Sequence, residues 1–165
     1  MKLKLIILLF MIICCRALAQ NKLPAFSIVN TRGNYVRSSA LLVNKSAILI
    51  YFQPDCEDCR QFTALLVKDD VIFRRFDQVI MITNSEFRSM QQFAADFKLN
   101  DKKNVIVGTE GWTSTVQRKL NITRFPFVTG YDKDKIQRWR LTNEGNARKL
   151  YDQLKRFSSR RKNDG

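Results

Sequence analysis

The stretch Ile48-Leu49-Ile50-Tyr51-Phe52-Gln53-Pro54-Asp55-Cys56-Glu57-Asp58-Cys59 decides how the rest of the chain is read. Ala47 to Phe52 is continuously apolar and bounded by Lys45-Ser46 and Gln53-Pro54, the pattern of a central strand covered on both faces. From Cys56 to Lys68, the residues Cys59, Phe62, Leu65 and Leu66 share one face at helical spacing. A buried strand thus passes into an amphipathic helix that opens with two cysteines two residues apart. At that spacing the thiols lie within disulfide-bonding reach across the first turn. Asp55 is suited to be the N-cap, which would put Cys56 at the first helical position. There the unpaired N–H groups and the positive end of the helix dipole stabilise a thiolate. Cys56 is the expected nucleophile, and Cys59, facing the core beside Phe62, is the expected resolving thiol. The neighbouring Glu57 and Asp58 oppose thiolate formation while complementing the dipole.

Outward from this unit, strands and helices alternate. Ala25 to Val29 reads as a short strand reversed by Thr31-Arg32-Gly33-Asn34 toward Tyr35-Val36. Val79-Ile80-Met81-Ile82 is a second buried strand, and Ser85 is expected to cap a helix with Phe87, Met90, Phe93, Ala94 and Phe97 on its apolar face. Asn104 to Val107 is a short strand and Val116 to Leu120 a helical stretch. Phe125-Pro126-Phe127-Val128-Thr129 is extended, and its proline confines it to the start or edge of a sheet strand. Asp132 to Lys135 turns it into Ile136 to Arg140 as a hairpin, and a last helix is expected from about Asn143 to Phe157. Helices between strands imply parallel pairing, so the fold class is α/β with a mixed central sheet between helical layers and an added N-terminal β-hairpin.

Composition narrows the chemistry. The chain has 165 residues and no histidine, which excludes a Ser-His-Asp triad, a Cys-His protease and any histidine-ligated metal. Lys2 and Lys4 precede the apolar run Leu5 to Cys15, and Ala17-Leu18-Ala19 follows with small residues where a signal peptidase reads. Residues 1–19 are therefore read as a cleaved signal peptide that takes Cys14 and Cys15 with it, and the apolar run is too short to span a bilayer of about 30 Å. Two remaining cysteines cannot build a four-cysteine zinc site, so no metal is expected. The net charge is +14, with a local cluster at Lys155, Arg156, Arg160, Arg161 and Lys162. Aromatics do not interleave with these charges, so 158–165 reads as a solvated, basic, disordered tail rather than a nucleic-acid patch. Residues 20–157 form one domain.

The segment from Ile48 to Cys59 resembles the strand and active-site helix of thioredoxin-like proteins, most nearly the exported TlpA and ResA type of thiol-disulfide oxidoreductase, which shares features with the redoxins. The resemblance extends from about Leu23 to Phe157. It implies a cis proline at Pro126 facing the cysteines, with Phe125 pairing with an extended substrate segment. It also implies that disulfide-containing envelope proteins are reduced in the periplasm, with electrons from a membrane or thioredoxin-like donor, no bound cofactor, no nucleic-acid partner and a monomeric state. The chain departs from the pattern in three places. Ile50 stands where thioredoxins have a buried acid, Phe62 where the ResA group has a Glu, and Asp55 where a Trp often precedes the motif. The segment Gln53-Pro54-Asp55-Cys56 lacks the threonine of the peroxiredoxin pattern. The competing class is a binding module in which Cys56 and Cys59 form a static disulfide. Trp112 and Trp139 are each candidates for either a substrate groove or the core.

Overall fold

The computed structural model describes residues 22–160. The signal-peptide reading of residues 1–19 and the last part of the basic tail lie outside them. Seven strands form one sheet: β1 (Ser27–Asn30), β2 (Tyr35–Arg37), β3 (Ala47–Tyr51), β4 (Gln78–Thr83), β5 (Val105–Thr109), β6 (Phe127–Tyr131) and β7 (Gln137–Thr142). Their order is β2-β1-β5-β4-β3-β6-β7. The centre, β5-β4-β3, is parallel, and the flanks are antiparallel.

The apolar runs explain this placement. Every residue of β3 and β4 is buried, because helices cover both faces of the sheet there. Ile48, Ile50 and Phe52 point into one core layer with Phe62, Leu66, Met81, Met90 and Phe93. Leu49 and Tyr51 point into the other with Phe26, Ile80, Ile82 and Val116. The helices are α1 (Glu57–Asp69), α2 (Val71–Arg75), α3 (Phe87–Asp96), α4 (Thr115–Lys119) and α5 (Ala147–Arg160). The expected N-terminal hairpin is β1-β2, and Asn30 closes its turn by accepting from Arg32 and Asn34 N–H at 3.0 Å each. Pro126 sits immediately before β6, so its missing N–H interrupts no ladder bond although β6 is an interior strand.

Four local expectations are corrected. Helix α1 is capped by Cys56 and not by Asp55, because a turn closed by Cys56 N–H on Gln53 C=O at 3.2 Å delays the helix by one residue. Glu86, not Ser85, stands before α3. The Ser85 hydroxyl instead donates to Gln53 Oε1 at 2.6 Å, a tertiary bond that draws it away from the helix. The last helix begins at Ala147, since Asn146 Oδ1 takes the Lys149 N–H at 2.8 Å as a cap. It also continues to Arg160, past the expected start of a disordered tail at Ser158. Ser158 is buried, and its hydroxyl accepts from Arg75 at 2.8 Å. The short helix α2 has no counterpart in the sequence reading. It follows a left-handed residue, Asp70, whose N–H closes α1 on Leu66 C=O at 3.0 Å.

Candidate active site

Strand β3 ends at Tyr51, and Gln53 and Pro54 carry the chain over its edge to α1. This places the two cysteines at the carboxyl end of the parallel strands. Both carry free thiols, Cys56 half-buried and Cys59 fully buried. The Cys56 sulfur is the N-cap acceptor of α1, taking the Cys59 N–H at 3.3 Å. That bond satisfies one of the N–H groups that the first turn of a helix leaves without an intrahelical partner. Cys56 thus stands as the cap of α1 and not as its first helical residue.

Cys59 has the opposite environment. Burial pushes its thiol far above the usual cysteine range, the hydrogen bond with Cys56 adds to this, and only the Gln53 backbone N–H, 3.5 Å from its sulfur, pulls the other way. A thiol whose folded-state value is raised holds its proton where the unfolded chain has lost it. The reduced protein is therefore expected to lose stability as pH rises above the unfolded cysteine value of about 8.5, by up to about 1.4 kcal/mol per pH unit before tyrosines titrate near 10. Urea unfolding of the reduced protein between these values checks this. The Cys59→Ala variant should show a flatter profile, and an unchanged slope would refute the assignment.

The expected partner loop arrives from β6. The Phe125–Pro126 bond is cis. Phe125 and Cys56 both pack, partly buried, on the same core layer, and the Phe125 ring stacks on Tyr51 at 5.9 Å. Pro126 itself is buried. Of the motif neighbours, Asp55 is exposed, Glu57 accepts from Gln61 at 3.0 Å, and Asp58 accepts from Asn143 at 2.7 Å.

Asn143 is a residue the sequence reading left aside. Its buried amide donates to Asp58 and, at 2.8 Å, to the Phe125 carbonyl, while its backbone N–H donates to the Pro126 carbonyl at 3.2 Å. One side chain thereby ties the cysteine helix to the proline loop. Gln53 ties the approach to the motif to the turn after β4 instead: its amide donates to Asn84 at 2.6 Å and accepts from Ser85, and its backbone N–H meets Cys59. Ile50 and Phe62 are fully buried, as an apolar floor beneath the cysteines requires. A buried carboxylate does exist, Glu110, but its oxygens accept from Tyr51 Oη at 2.8 Å and from Val116 and Gln117 N–H at 2.7 and 3.3 Å. Its bonds hold the start of α4 and the ring under Phe125. The surroundings of Asn143 and Gln53, Thr142-Asn143-Glu144-Gly145 and Phe52-Gln53-Pro54, carry no periodic signal, so nothing in the sequence pointed to them.

Among the described residues there is no group of three or more Cys, Asp or Glu side chains able to hold a metal. No helix among them is long and apolar enough to cross a membrane.

No protein-family model matches the chain, and no curated protein matches it at a significant level. Solved structures do. A secreted disulfide oxidoreductase of Mycobacterium tuberculosis, described as homologous to Escherichia coli DsbE, matches at a TM-score of 0.63 and 16% identity, covering 79% of this chain and 95% of that one. The thioredoxin domain of a thiol-disulfide oxidoreductase from Bacteroides vulgatus matches at 0.62 and 17% identity, covering 84% and 96%. The dsbF protein of M. tuberculosis matches at 0.61 and 15% identity, covering 84% and 96%. Identities this low speak to architecture alone, and the architecture is thioredoxin-like. Within it, this chain places a Cys-Glu-Asp-Cys motif at the start of the helix that follows the central strand.

Proposed function

We propose that this protein is a thiol-disulfide oxidoreductase of the exported TlpA and ResA type that reduces disulfides in periplasmic envelope proteins. The observation that carries the reading is the asymmetry of the pair. Cys56 is half-exposed with its sulfur on a helix N–H, and Cys59 is buried one turn behind it. The Cys56 thiolate attacks one sulfur of a substrate disulfide. A bond forms between Cys56 and that sulfur, and the other substrate sulfur leaves as a thiolate and takes a proton. Cys59 then gives up its proton and attacks Cys56, releasing the second substrate thiol and leaving a Cys56–Cys59 disulfide. Two electrons pass to the substrate, and a membrane or thioredoxin-like donor returns them. An extended substrate segment lies along the backbone at Phe125 and Pro126. The protein acts as a monomer without a bound cofactor and has no nucleic-acid partner.

The redox potential of the Cys56–Cys59 couple, measured by equilibration with dithiothreitol and glutathione followed by thiol trapping, tests this. The expected value lies near about −270 mV, as suits a reductase with two carboxylates inside the motif. A value near about −120 mV would reverse the direction of electron flow. A couple that no buffer reduces without unfolding the protein would leave only a binding module.

A further inference from the structure

Beside the cysteines, on the face away from the Phe125–Pro126 loop, lies an open groove of about 700 Å³. Pro54 and Asp55 form one wall, Glu86 and Phe87 at the start of α3 a second, and Gly111 and Trp112 after β5 the third. Asp55 is covalently next to Cys56, so the groove begins one residue from the nucleophile, although neither cysteine lines it.

Three observations give the groove a chemistry. Trp112 is 95% exposed, the most exposed of the large apolar side chains among the described residues. The backbone on either side of it is nonetheless held at several points. Gly111 N–H donates to Thr109 Oγ1 at 3.0 Å, Thr113 Oγ1 donates to the Glu110 carbonyl at 2.7 Å, and Glu110 N–H donates to the Thr83 carbonyl at 2.9 Å. A bare indole on a pinned backbone is ordered at little further entropy loss when a partner covers it. The second observation is charge. Among the described residues, the only charged ones lining the groove are the carboxylates of Asp55 and Glu86, in a chain whose net charge is +14. The nearby Arg118 guanidinium is turned to the Thr113 carbonyl at 2.7 Å and does not line it. At physiological salt the screening length is about 8 Å, so the two carboxylates in the wall act on a bound group at closer range than the exposed Arg88, which lies between the lining residues Phe87 and Ser89 without lining the groove itself. The third is the pairing of carboxylates with aromatic faces, which suits a cationic side chain on an aliphatic stem.

We infer that this groove is a substrate subsite: it takes an extended segment flanking the target disulfide that carries Lys or Arg next to an apolar residue, the apolar residue against Trp112 and Phe87 and the cation between Asp55 and Glu86. The inference rests on the oxidoreductase reading for the word substrate, and on the groove alone for the binding.

Fluorescence anisotropy of short labelled peptides with the full reduced chain separates the two. One peptide alternates Lys and Leu around a central Ser in the cysteine position, and its twin has Glu for Lys. The Lys peptide is expected to bind about tenfold more tightly than its twin, and the preference should fade as salt is raised to about 1 M, where screening reaches about 3 Å. Trp112→Ala and Glu86→Gln, both at exposed positions that hold no part of the core, should each remove most of the preference. Absence of binding, equal binding, or tighter binding of the Glu peptide would overturn the inference. So would a preference that survives both substitutions, because another surface then holds the peptide. Self-association of the chain that is lost in Trp112→Ala would assign the groove to a second copy instead. Reduction of hydroxyethyl disulfide, followed separately, reports on the cysteines alone. If it fails while the peptide preference stands, the groove serves a binding module; if it succeeds while the preference is absent, only the groove is refuted.

Discussion

Replacing Cys56 by Ser is expected to abolish reduction of a protein disulfide, a loss on the order of a thousandfold or more, because Cys59, the other thiol among the described residues, is fully buried. Replacing Cys59 by Ser should have a different signature. Attack by Cys56 survives, but release does not, so mixed disulfides between Cys56 and substrate accumulate and can be isolated on a non-reducing gel. In the unaltered protein, resolution should be the step that quickens with rising pH, since burial keeps the Cys59 proton in place well above neutrality. Equal residual turnover in the two variants, or no trapped species with Cys59→Ser, would refute the division of labour between the cysteines. The asymmetry that drives this expectation is one of placement. The two thiols are three residues apart, yet one caps a helix at the surface and the other is sealed beneath Gln53.

The largest stability effect is expected at Gly130→Ala. Gly130 lies in β6 opposite Trp139 of β7, and the indole crosses directly over it. A methyl at Gly130 would stand 2.3 Å from Trp139 Cε2 and Cζ2, far inside van der Waals contact. The ring has little room to retreat. Phe76 meets its edge at 6.2 Å and Phe157 of α5 stacks on it at 5.8 Å. Displacing the indole would therefore loosen the contact of the sheet with the last helix. The expected cost is about 3 kcal/mol, with thermal unfolding shifted down by roughly 10 °C. An unfolding temperature within a degree or two of the parent would show that the indole moves freely and that α5 does not depend on it.

These two cases divide what local sequence patterns reveal from what they do not. The order of strands and helices followed from periodicity, because continuous apolar runs and helical spacing report burial without knowledge of the partner. The cysteine motif at the end of a buried strand, and the proline seventy residues later at the start of another, were evident for the same reason. The helix caps were misplaced by one to four residues at Cys56, Glu86 and Asn146. Two of these caps reflect a competing bond: Ser85 is taken by Gln53, and the turn on Gln53 leaves the capping place to a cysteine. The two tryptophans make the point most directly. Hydropathy treats Trp112 and Trp139 alike, yet one stands in solvent at the rim of a groove and the other is clasped between Phe76 and Phe157.

By itself the sequence determined the layered α/β architecture, the helix that presents Cys56, the burial of Cys59 beside Phe62 and the absence of histidine chemistry. All of these rest on residue type and spacing within a dozen positions. The tertiary structure alone decided that Asn143 joins the motif to the Phe125 loop across 85 residues, that Gln53 is locked by Asn84 and Ser85, and that Glu110 is sealed against Tyr51. Polar side chains carry no periodic mark of where they will be buried. Their positions are set by whichever donor or acceptor the folded chain brings within hydrogen-bond reach, and that partner is far away in sequence.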